Sequence, residues 1–258
     1  MKQRLILFLF LSWAASQTRN PSPFEIMQRV LDNPHPKSTI SDLVLTMKQV
    51  KNRRVKTKIR ELTRYHKNYQ EGTFRSKTMM RFIRPVVARG IGLLTWNYAD
   101  GHSEQWLFLP KLRVAKQITV NDRSKSLLGT EFTYEDLQET NLDSSGLIYA
   151  GEALLDSIPC HIVDQQLLDS PQYTHRRVWI DRDRWLIKKV QYFDRKNRPV
   201  KILEIPIHIR KDRFWFAQKM IMRNMETGNE SILEVKDIQY NTGIVDDFFT
   251  KKFLIKVE

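Results

Sequence analysis

The stretch WLFLPKLRVAKQI, from Trp106 to Ile118, decides the fold class. Its first half alternates apolar and polar residues, as a β-strand does when its two faces lie in different environments. Pro110 ends that strand at Leu109, and a second strand begins near Leu112. The stretch also carries more aromatic and aliphatic side chains than a solvent-facing strand needs. It therefore predicts a sheet that carries more apolar surface than a sheet with one solvent-facing side.

The same period of two extends in both directions along the chain. It predicts about a dozen antiparallel strands, interrupted only by a polar segment at residues 121–141. No linker rich in Gly, Ser or Pro divides the series, which indicates one domain over residues 17–258. A sheet of this size must curl to bury its apolar face, giving a mainly β fold: a barrel, a half-barrel or a strongly bent sheet. The predicted strands are 41–50, 56–65, 73–84, 91–98, 105–109, 112–119, 147–154, 160–168, 175–181, 185–193, 199–209, 214–225 and 231–240.

A helix is predicted before the first strand, in the segment SPFEIMQRVLDN. Ser22 can cap it, with Pro23 in the first turn and Glu25 three residues after the cap, which is the pattern of a capping box. The helix should end before Pro34, and its apolar residues fall near one face. Placed over the open side of a curled sheet, such a helix would act as a lid.

The motif DDFFTKKFL, from residue 246 to residue 254, follows the last predicted strand. Its spacing predicts a helical turn that packs Phe248, Phe249 and Phe253 inward. This segment would cover part of the sheet.

The first sixteen residues have the layout of a secretory signal peptide. Lys2 and Arg4 precede an apolar run that begins at Leu5, and small residues follow that run up to Ser16. We predict cleavage after Ser16. The run is shorter than the roughly 20 residues that a membrane-spanning helix needs. An uncleaved anchor is the alternative interpretation. The mature chain is therefore predicted to be exported to the periplasm.

The chain is strongly basic, and its charges are unevenly spread. The formal charge is +14, and it falls to +12 when Lys2 and Arg4 are removed with the signal peptide. The densest cationic run, KQVKNRRVKTKIR from Lys48 to Arg60, is predicted to form a hairpin around an Asn52-Arg53-Arg54 turn. Contact with anionic lipid headgroups or an acidic partner fits an exported protein better than nucleic acid does.

The sequence contains no convincing catalytic or metal-binding set. GxSxG, P-loop and GxGxxG motifs are absent, and the acidic pairs look like loop or cap residues. The histidines form no HxH or HExxH pattern, so structural or surface roles are expected for them and no cofactor or metal is predicted. Cys160 is expected to be a small buried hydrophobe. The acidic pairs are Glu135/Asp136, Asp181/Asp183 and Asp246/Asp247, and the histidines are His35, His66, His102, His161, His175 and His208.

Large adaptable apolar residues are abundant in strands whose opposite faces are polar. A filled β core accounts for about half of them, and a curved sheet that does not close leaves the remainder to line a cavity suited to flexible acyl chains. The residues are Met79, Met80, Phe82, Trp96, Trp106, Phe108, Phe132, Trp179, Trp185 and Trp215.

Residues 79–137 carry a resemblance that composition alone does not reveal. The elements RFIRP, RGIGLLTW, QWLFLPKLR and LLGTEFTYEDL occur in the order and spacing of the outer-membrane lipoprotein-sorting protein family, which includes the LolA-like periplasmic carriers. The signal peptide, VWIDRDRWLIKKVQYFD and DDFFTKKFL fit the same layout. The resemblance therefore extends over most of the mature chain.

The resemblance implies an open antiparallel β half-barrel whose concave face is covered by short helices and holds lipid acyl chains in transit between the inner and outer membranes. It implies a non-enzymatic carrier with no catalytic residues, whose partners include lipid or lipoprotein and an inner-membrane lipid exporter. We predict eight cavity or gate residues, with residues 121–134 as a candidate gate. They are Met80, Phe82, Leu94, Trp96, Trp106, Phe108, Phe132 and Tyr134.

Two alternatives from other classes remain. One is a periplasmic adaptor with a filled core, which docks on a transporter or envelope partner through its basic face. The other is an enzyme acting on envelope lipid or glycan, which would need acids or histidines to converge in a cleft.

Overall fold

The structure, a computed structural model, describes residues 21–139 and 146–256. The predicted signal peptide lies outside the described residues. Thirteen antiparallel strands form one sheet in the order β6-β5-β4-β3-β2-β1-β13-β12-β11-β10-β9-β8-β7. The pairing of β1 with β13 joins the first six strands to the last seven. The predicted mainly β, open half-barrel fold is confirmed: within the described residues β6 and β7, at the two ends of the sheet, do not pair with each other.

The predicted alternation locates every strand to within a few residues. The largest differences are in β2, which begins and ends two or three residues beyond its prediction, and β6, which is shorter. The strands are β1 (Ser38–Lys51), β2 (Arg54–Asn68), β3 (Phe74–Arg84), β4 (Gly92–Tyr98), β5 (Ser103–Leu109), β6 (Val114–Gln117), β7 (Leu147–Leu155), β8 (Ile158–Gln166), β9 (His175–Asp181), β10 (Ile187–Phe193), β11 (Pro199–Lys211), β12 (Phe214–Asn224) and β13 (Glu230–Tyr240).

The predicted helix is α1 (Pro23–Leu31), and its capping box is present. The Glu25 backbone N–H donates to the Ser22 hydroxyl at 3.2 Å, and the Ser22 backbone N–H donates to the Glu25 carboxylate at 2.6 Å. These bonds satisfy backbone groups that a helix start otherwise leaves unpaired. α1 buries Ile26 and Met27 against the sheet.

The DDFFTKKFL motif forms the predicted compact ending. A 3₁₀ turn (Asp246–Phe249) is followed by α2 (Lys251–Leu254). Phe249 is fully buried, and Phe248 and Phe253 pack against the same apolar cluster. The prediction that these three rings point inward is confirmed.

Tight turns set the strand register. The hairpin between β1 and β2 turns on Asn52 and Arg53, whose φ values are +49° and +60°. Two successive residues with positive φ match the twist of a two-residue hairpin. Bulges bend the longer strands, and Pro206, which cannot donate a ladder hydrogen bond, lies at one in β11 between Glu204 and Ile207.

Candidate functional site

The sheet has an apolar cluster on each face. The inner face, which we define as the face that contacts α1, carries the larger cluster, to which strands from both halves of the sheet contribute. Neighbouring strands are about 4.8 Å apart, so β4 and β8 would lie roughly 40 Å apart in a flat sheet. Both belong to the cluster because the sheet curls around a common cover. The buried members from the sheet are Leu43, Leu45, Met47, Leu62, Met80, Phe82, Leu93, Val163, Val178, Ile180, Val190, Tyr192 and Met222.

The cover has two parts. One is α1, and the other is the irregular segment of residues 119–139, which we call the plug. The plug buries Leu127, Phe132 and Tyr134 in the inner cluster. Its one β-bridge joins its own Ser126 and Thr133. The plug therefore covers the inner face without being a strand of the sheet.

Side-chain hydrogen bonds fasten the plug to the sheet at separate points. Arg60 of β2 donates to the Leu128 carbonyl at 2.8 Å, and Gln105 of β5 donates to the Tyr134 carbonyl at 3.1 Å. Across the sheet, the Ser231 hydroxyl accepts from the Glu131 backbone N–H at 2.9 Å. The plug thus spans both halves of the curled sheet.

The most buried fastening is an ion pair. Lys201 of β11 lies 3.2 Å from the Asp136 carboxylate, and their side chains are only 10% and 1% exposed. The Tyr173 hydroxyl donates to Asp136 at 3.1 Å, and the Thr133 backbone N–H donates to it at 2.8 Å. Burial, followed by the charge of Asp136, raises the pKa of Tyr173, so this hydroxyl remains a donor.

The helix α1 is held at its C-terminal end. The Asn33 side-chain amide donates to the Trp185 carbonyl at 2.9 Å, and the Arg29 guanidinium lies 4.6 Å from the centre of the Trp185 ring. Apolar contacts of Ile26 and Met27 complete the attachment. Like the plug, α1 rests on the inner face through side chains.

Four of the predicted site residues lie on the inner face. Met80 and Phe82 of β3 contribute to the wall, and Phe132 and Tyr134 belong to the plug. The structure thereby places the predicted gate, residues 121–134, within the plug itself.

The other four predicted site residues lie on the opposite, outer face. The structure places Leu94, Trp96, Trp106 and Phe108 in or against a second cluster beneath the C-terminal segment. In β4, Leu93 reaches the inner cluster. Since side chains alternate along a strand, this division arises when the chosen residues lie on the inner face in β3 and are shifted by one residue, onto the outer face, in β4 and β5.

The C-terminal segment binds the outer face closely. The Trp96 indole N–H donates to the Phe249 carbonyl at 2.8 Å, and the Lys251 ammonium lies 4.1 Å from the centre of the Trp106 ring. Arg81 donates to the Leu254 carbonyl at 2.9 Å. These contacts give Trp96 and Trp106 a structural environment on the face away from the plug.

Most residues of the inner wall were not among the predicted site residues. Leu43, Leu45 and Met47 of β1, and Val178 and Ile180 of β9, were readable as apolar alternations but were not chosen as site residues. The preference for aromatic side chains drew attention to Trp96 and Trp106 instead. Aliphatic residues form most of the wall.

The inner wall is covered in this structure, because its side chains are buried together with those of the plug and α1. The cavities of the described residues include one of about 170 Å³ against β11, β12 and β13, and an open recess of about 630 Å³ at the tip of the β1–β2 hairpin. Neither is bounded by the plug or α1. A ligand on the inner face would therefore have to displace part of the cover.

Two kinds of chemical group in the described part of the chain bear on catalysis, the potential metal ligands and the cysteine thiol. Within residues 21–139 and 146–256, no three or more His, Cys, Asp or Glu residues are grouped so that they could hold a metal ion. Cys160 is buried, as predicted, and burial raises the pKa of its thiol to about 11, which disfavours the reactive thiolate. No described helix is both long and apolar enough to span a bilayer.

Solved structures share this architecture. A domain assigned to the outer membrane lipoprotein-sorting proteins, from Vibrio parahaemolyticus, superposes with a TM-score of 0.83 at 24% identity, covering 90% of this chain and 98% of that one. A DUF1329 family protein from Desulfovibrio piger gives 0.81 at 22% identity, covering 90% and 97%. The LolA superfamily protein NE2245 from Nitrosomonas europaea gives 0.69 at 14% identity, covering 91% and 100%. The chain thus has the LolA-like fold.

A family model described only as "uncharacterized protein" matches residues 75–256, and the chain belongs to that family. The matched region begins in β3 and includes the plug and the C-terminal segment. No curated protein matches the chain.

Proposed function

We propose that this protein is a periplasmic carrier that shelters the acyl chains of a lipid or lipoprotein on its inner face during transfer between the inner and outer membranes. The observation that supports this proposal best is the cover. The apolar wall of the sheet is closed by two elements, α1 and the plug, that are attached through side chains and not through strand pairing. Such a cover can leave and return while the sheet stays intact.

The energies permit exchange of plug and cargo. Burial of Leu127, Phe132 and Tyr134 contributes roughly 6 kcal/mol, at about 2 kcal/mol for each side chain. An acyl chain with about ten sheltered methylenes gains roughly 8 kcal/mol. The two terms are of similar size, so an acyl chain can compete with the plug for the wall. Release follows from the same competition in reverse.

Native mass spectrometry with lipid extraction tests the proposal. The full chain is expressed in a Gram-negative bacterium and the exported protein is purified gently. We expect a lipid of defined stoichiometry. Met80→Gln, which places a polar side chain on the inner wall, should lower lipid occupancy, whereas Met79→Gln, the neighbouring residue in the outer cluster, should leave it unchanged.

These two variants are closely matched. Both replace a buried methionine of β3 by a residue of similar volume, and thermal unfolding shows whether each remains folded. Loss of lipid from folded Met79→Gln with retention by folded Met80→Gln would place the binding face on the other side of the sheet. Such a result contradicts the proposal.

The covered inner wall favours a second candidate, the non-enzymatic periplasmic adaptor that docks through its basic surface. The side chains of the wall are buried together with those of the plug and α1, as a permanently closed core would require. A protein mass without lipid, together with no uptake of a fluorescent fatty acid, supports the adaptor.

For the proposed carrier, we infer that an inner-membrane lipid exporter supplies the cargo.

A further inference from the structure

The β1–β2 hairpin extends beyond its neighbours in the sheet. The pairing of β13 with β1 stops at Lys48, and the pairing of β3 with β2 stops at Glu61. Residues 49–56 therefore pair only with each other, and residues 57–60 pair with residues 45–48 of β1 but not with β3. We call residues 49–60 the projecting ribbon. At about 3.3 Å per residue, its tip stands roughly 20 Å beyond the end of β3. A two-stranded hairpin is marginally stable by itself in water, so this length is not explained by folding alone.

The projecting ribbon is amphipathic. Directly paired residues share a face, so Val50, Val55 and, four pairs further, Ile59 lie together on one side. Their exposed fractions are 45%, 60% and 57%. Lys51 and Arg54 form the first pair of the opposite face, which continues with Lys56, Lys58 and Arg60.

Two further exposed apolar turns lie at the same end of the sheet. Strands β3 and β5 both run toward the ribbon end, so the turns that follow them are on that rim. Val86 and Val87 after β3 are 76% and 77% exposed, and Leu112 after β5 is 66% exposed. Side chains of this kind at three successive turns mark an interaction surface.

The charged residues of the projecting ribbon and of the turns after β3 and β5 are all Lys or Arg. Residues 50–59, 83–89 and 109–114 contain nine Lys or Arg residues and no acid. Among the described residues, only Arg84 of these nine makes a salt bridge, with Glu61 at 3.6 Å. Eight positive charges are thus free to meet an external anion. They are Lys51, Arg53, Arg54, Lys56, Lys58, Arg89, Lys111 and Arg113.

We propose that this rim docks the protein on a bilayer containing anionic phospholipid, with the projecting ribbon as the inserted element. Aliphatic side chains flanked by Lys and Arg match the boundary between acyl chains and anionic headgroups. A protein partner fits less well, since protein hot spots favour Trp and Tyr and the ribbon has neither. This docking goes beyond lipid carriage and does not require it, because the ribbon lies outside the plug and α1.

Vesicle co-sedimentation tests the proposal. The exported protein is mixed with vesicles of phosphatidylcholine alone or with about 30% phosphatidylglycerol. We expect binding to the anionic vesicles only, weakened by salt. Lys51→Glu/Arg53→Glu/Arg54→Glu should lower the partition coefficient at least about 100-fold. Val55→Ser/Ile59→Ser should lower it about tenfold by removing apolar insertion.

Matched controls come from the opposite rim. Lys37→Glu/Arg210→Glu/Arg213→Glu makes the same change in net charge on exposed residues, and Leu154→Ser removes an aliphatic side chain that is 75% exposed. Both should bind vesicles like the unchanged protein. Circular dichroism verifies that every variant is folded.

Three outcomes overturn the proposal. They are equal binding to neutral and anionic vesicles, an equal loss in the control and ribbon variants, and no vesicle binding at all. The last result would leave an acidic protein as the partner of the rim. Since lipid occupancy is measured separately, a carrier that does not dock and a docking protein that carries no lipid are distinguishable.

Discussion

Replacing Asp136 by Asn tests whether the plug is a detachable cover. The substitution keeps the shape of the side chain and its ability to accept a hydrogen bond, but it removes the charge that faces Lys201. Lys201 is then left buried beside Tyr173 without its counter-ion. Removing one partner of a buried pair costs about 3–5 kcal/mol while the other stays buried.

How the plug is attached determines whether that cost lowers the free energy of local plug opening or the free energy of global unfolding. If the plug can leave while the sheet remains folded, its departure hydrates Lys201 and relieves the strain. The cost then appears as local opening, with an equilibrium constant raised about 150- to 5000-fold. The free energy of global unfolding should change less than the opening free energy of the plug.

Native-state hydrogen exchange measures both quantities. The plug reports through the amides of Leu127 and Glu135, which donate to carbonyls within the plug, and the sheet reports through the amides of β9. Asp136→Asn/Lys201→Met removes both charges and should recover most of the protection. Lys236→Gln, which breaks the pair of this exposed lysine with Glu234, should change protection by less than about 1 kcal/mol.

Equal loss of protection in the plug and the sheet would refute this reasoning. The plug would then be a permanent part of the core that unfolds with the rest. Unchanged protection of the plug in Asp136→Asn would show instead that the ion pair does not fasten it.

The remaining predictions concern other parts of the molecule. Phe249→Ala should destabilise the fold by about 3–5 kcal/mol in chemical denaturation and change the fluorescence of Trp96, while lipid occupancy stays the same because the outer cluster is affected. Burial, followed by the charge of Arg64, lowers the pKa of His66 from 6.5 to about 3. Below pH 6.5 the unfolded chain binds a proton that the folded state refuses, so stability should fall by up to about 1.4 kcal/mol per pH unit toward pH 3, and His66→Gln should flatten this dependence in denaturation curves. Gly92→Ala should cost about 1–3 kcal/mol, measured by thermal unfolding, because the new methyl would lie 2.7 Å from a methyl of Leu254.

The strands were predictable because most of them alternate clearly. In β1, Leu43 and Leu45 are buried on one face, while Asp42 just before them is exposed on the other. The capping box of α1 was equally readable. Period and capping are local properties, so the sequence contains them directly.

The inner wall was harder to predict because β3, β4 and β5 are covered on both faces. The plug lies on the inner face and the C-terminal segment on the outer one, so successive residues such as Met79 and Met80 are both buried. Sequence contrast between two faces vanishes when neither meets water. The plug itself has no period, and its position on the inner face depends on contacts with distant strands, such as that of Asp136 with Lys201.

In the described part of the chain, the edge strands β6 and β7 do not pair with each other, and this affects the circumference of the sheet. A closed barrel has a radius fixed by its number of strands and their stagger. In this sheet no ladder joins the first described strand of the order to the last, so its circumference is not fixed. Small changes of twist at each of the strand pairs can tighten or relax the curl without breaking a backbone hydrogen bond. The curl of the sheet can therefore adjust to the width of whatever covers its inner face.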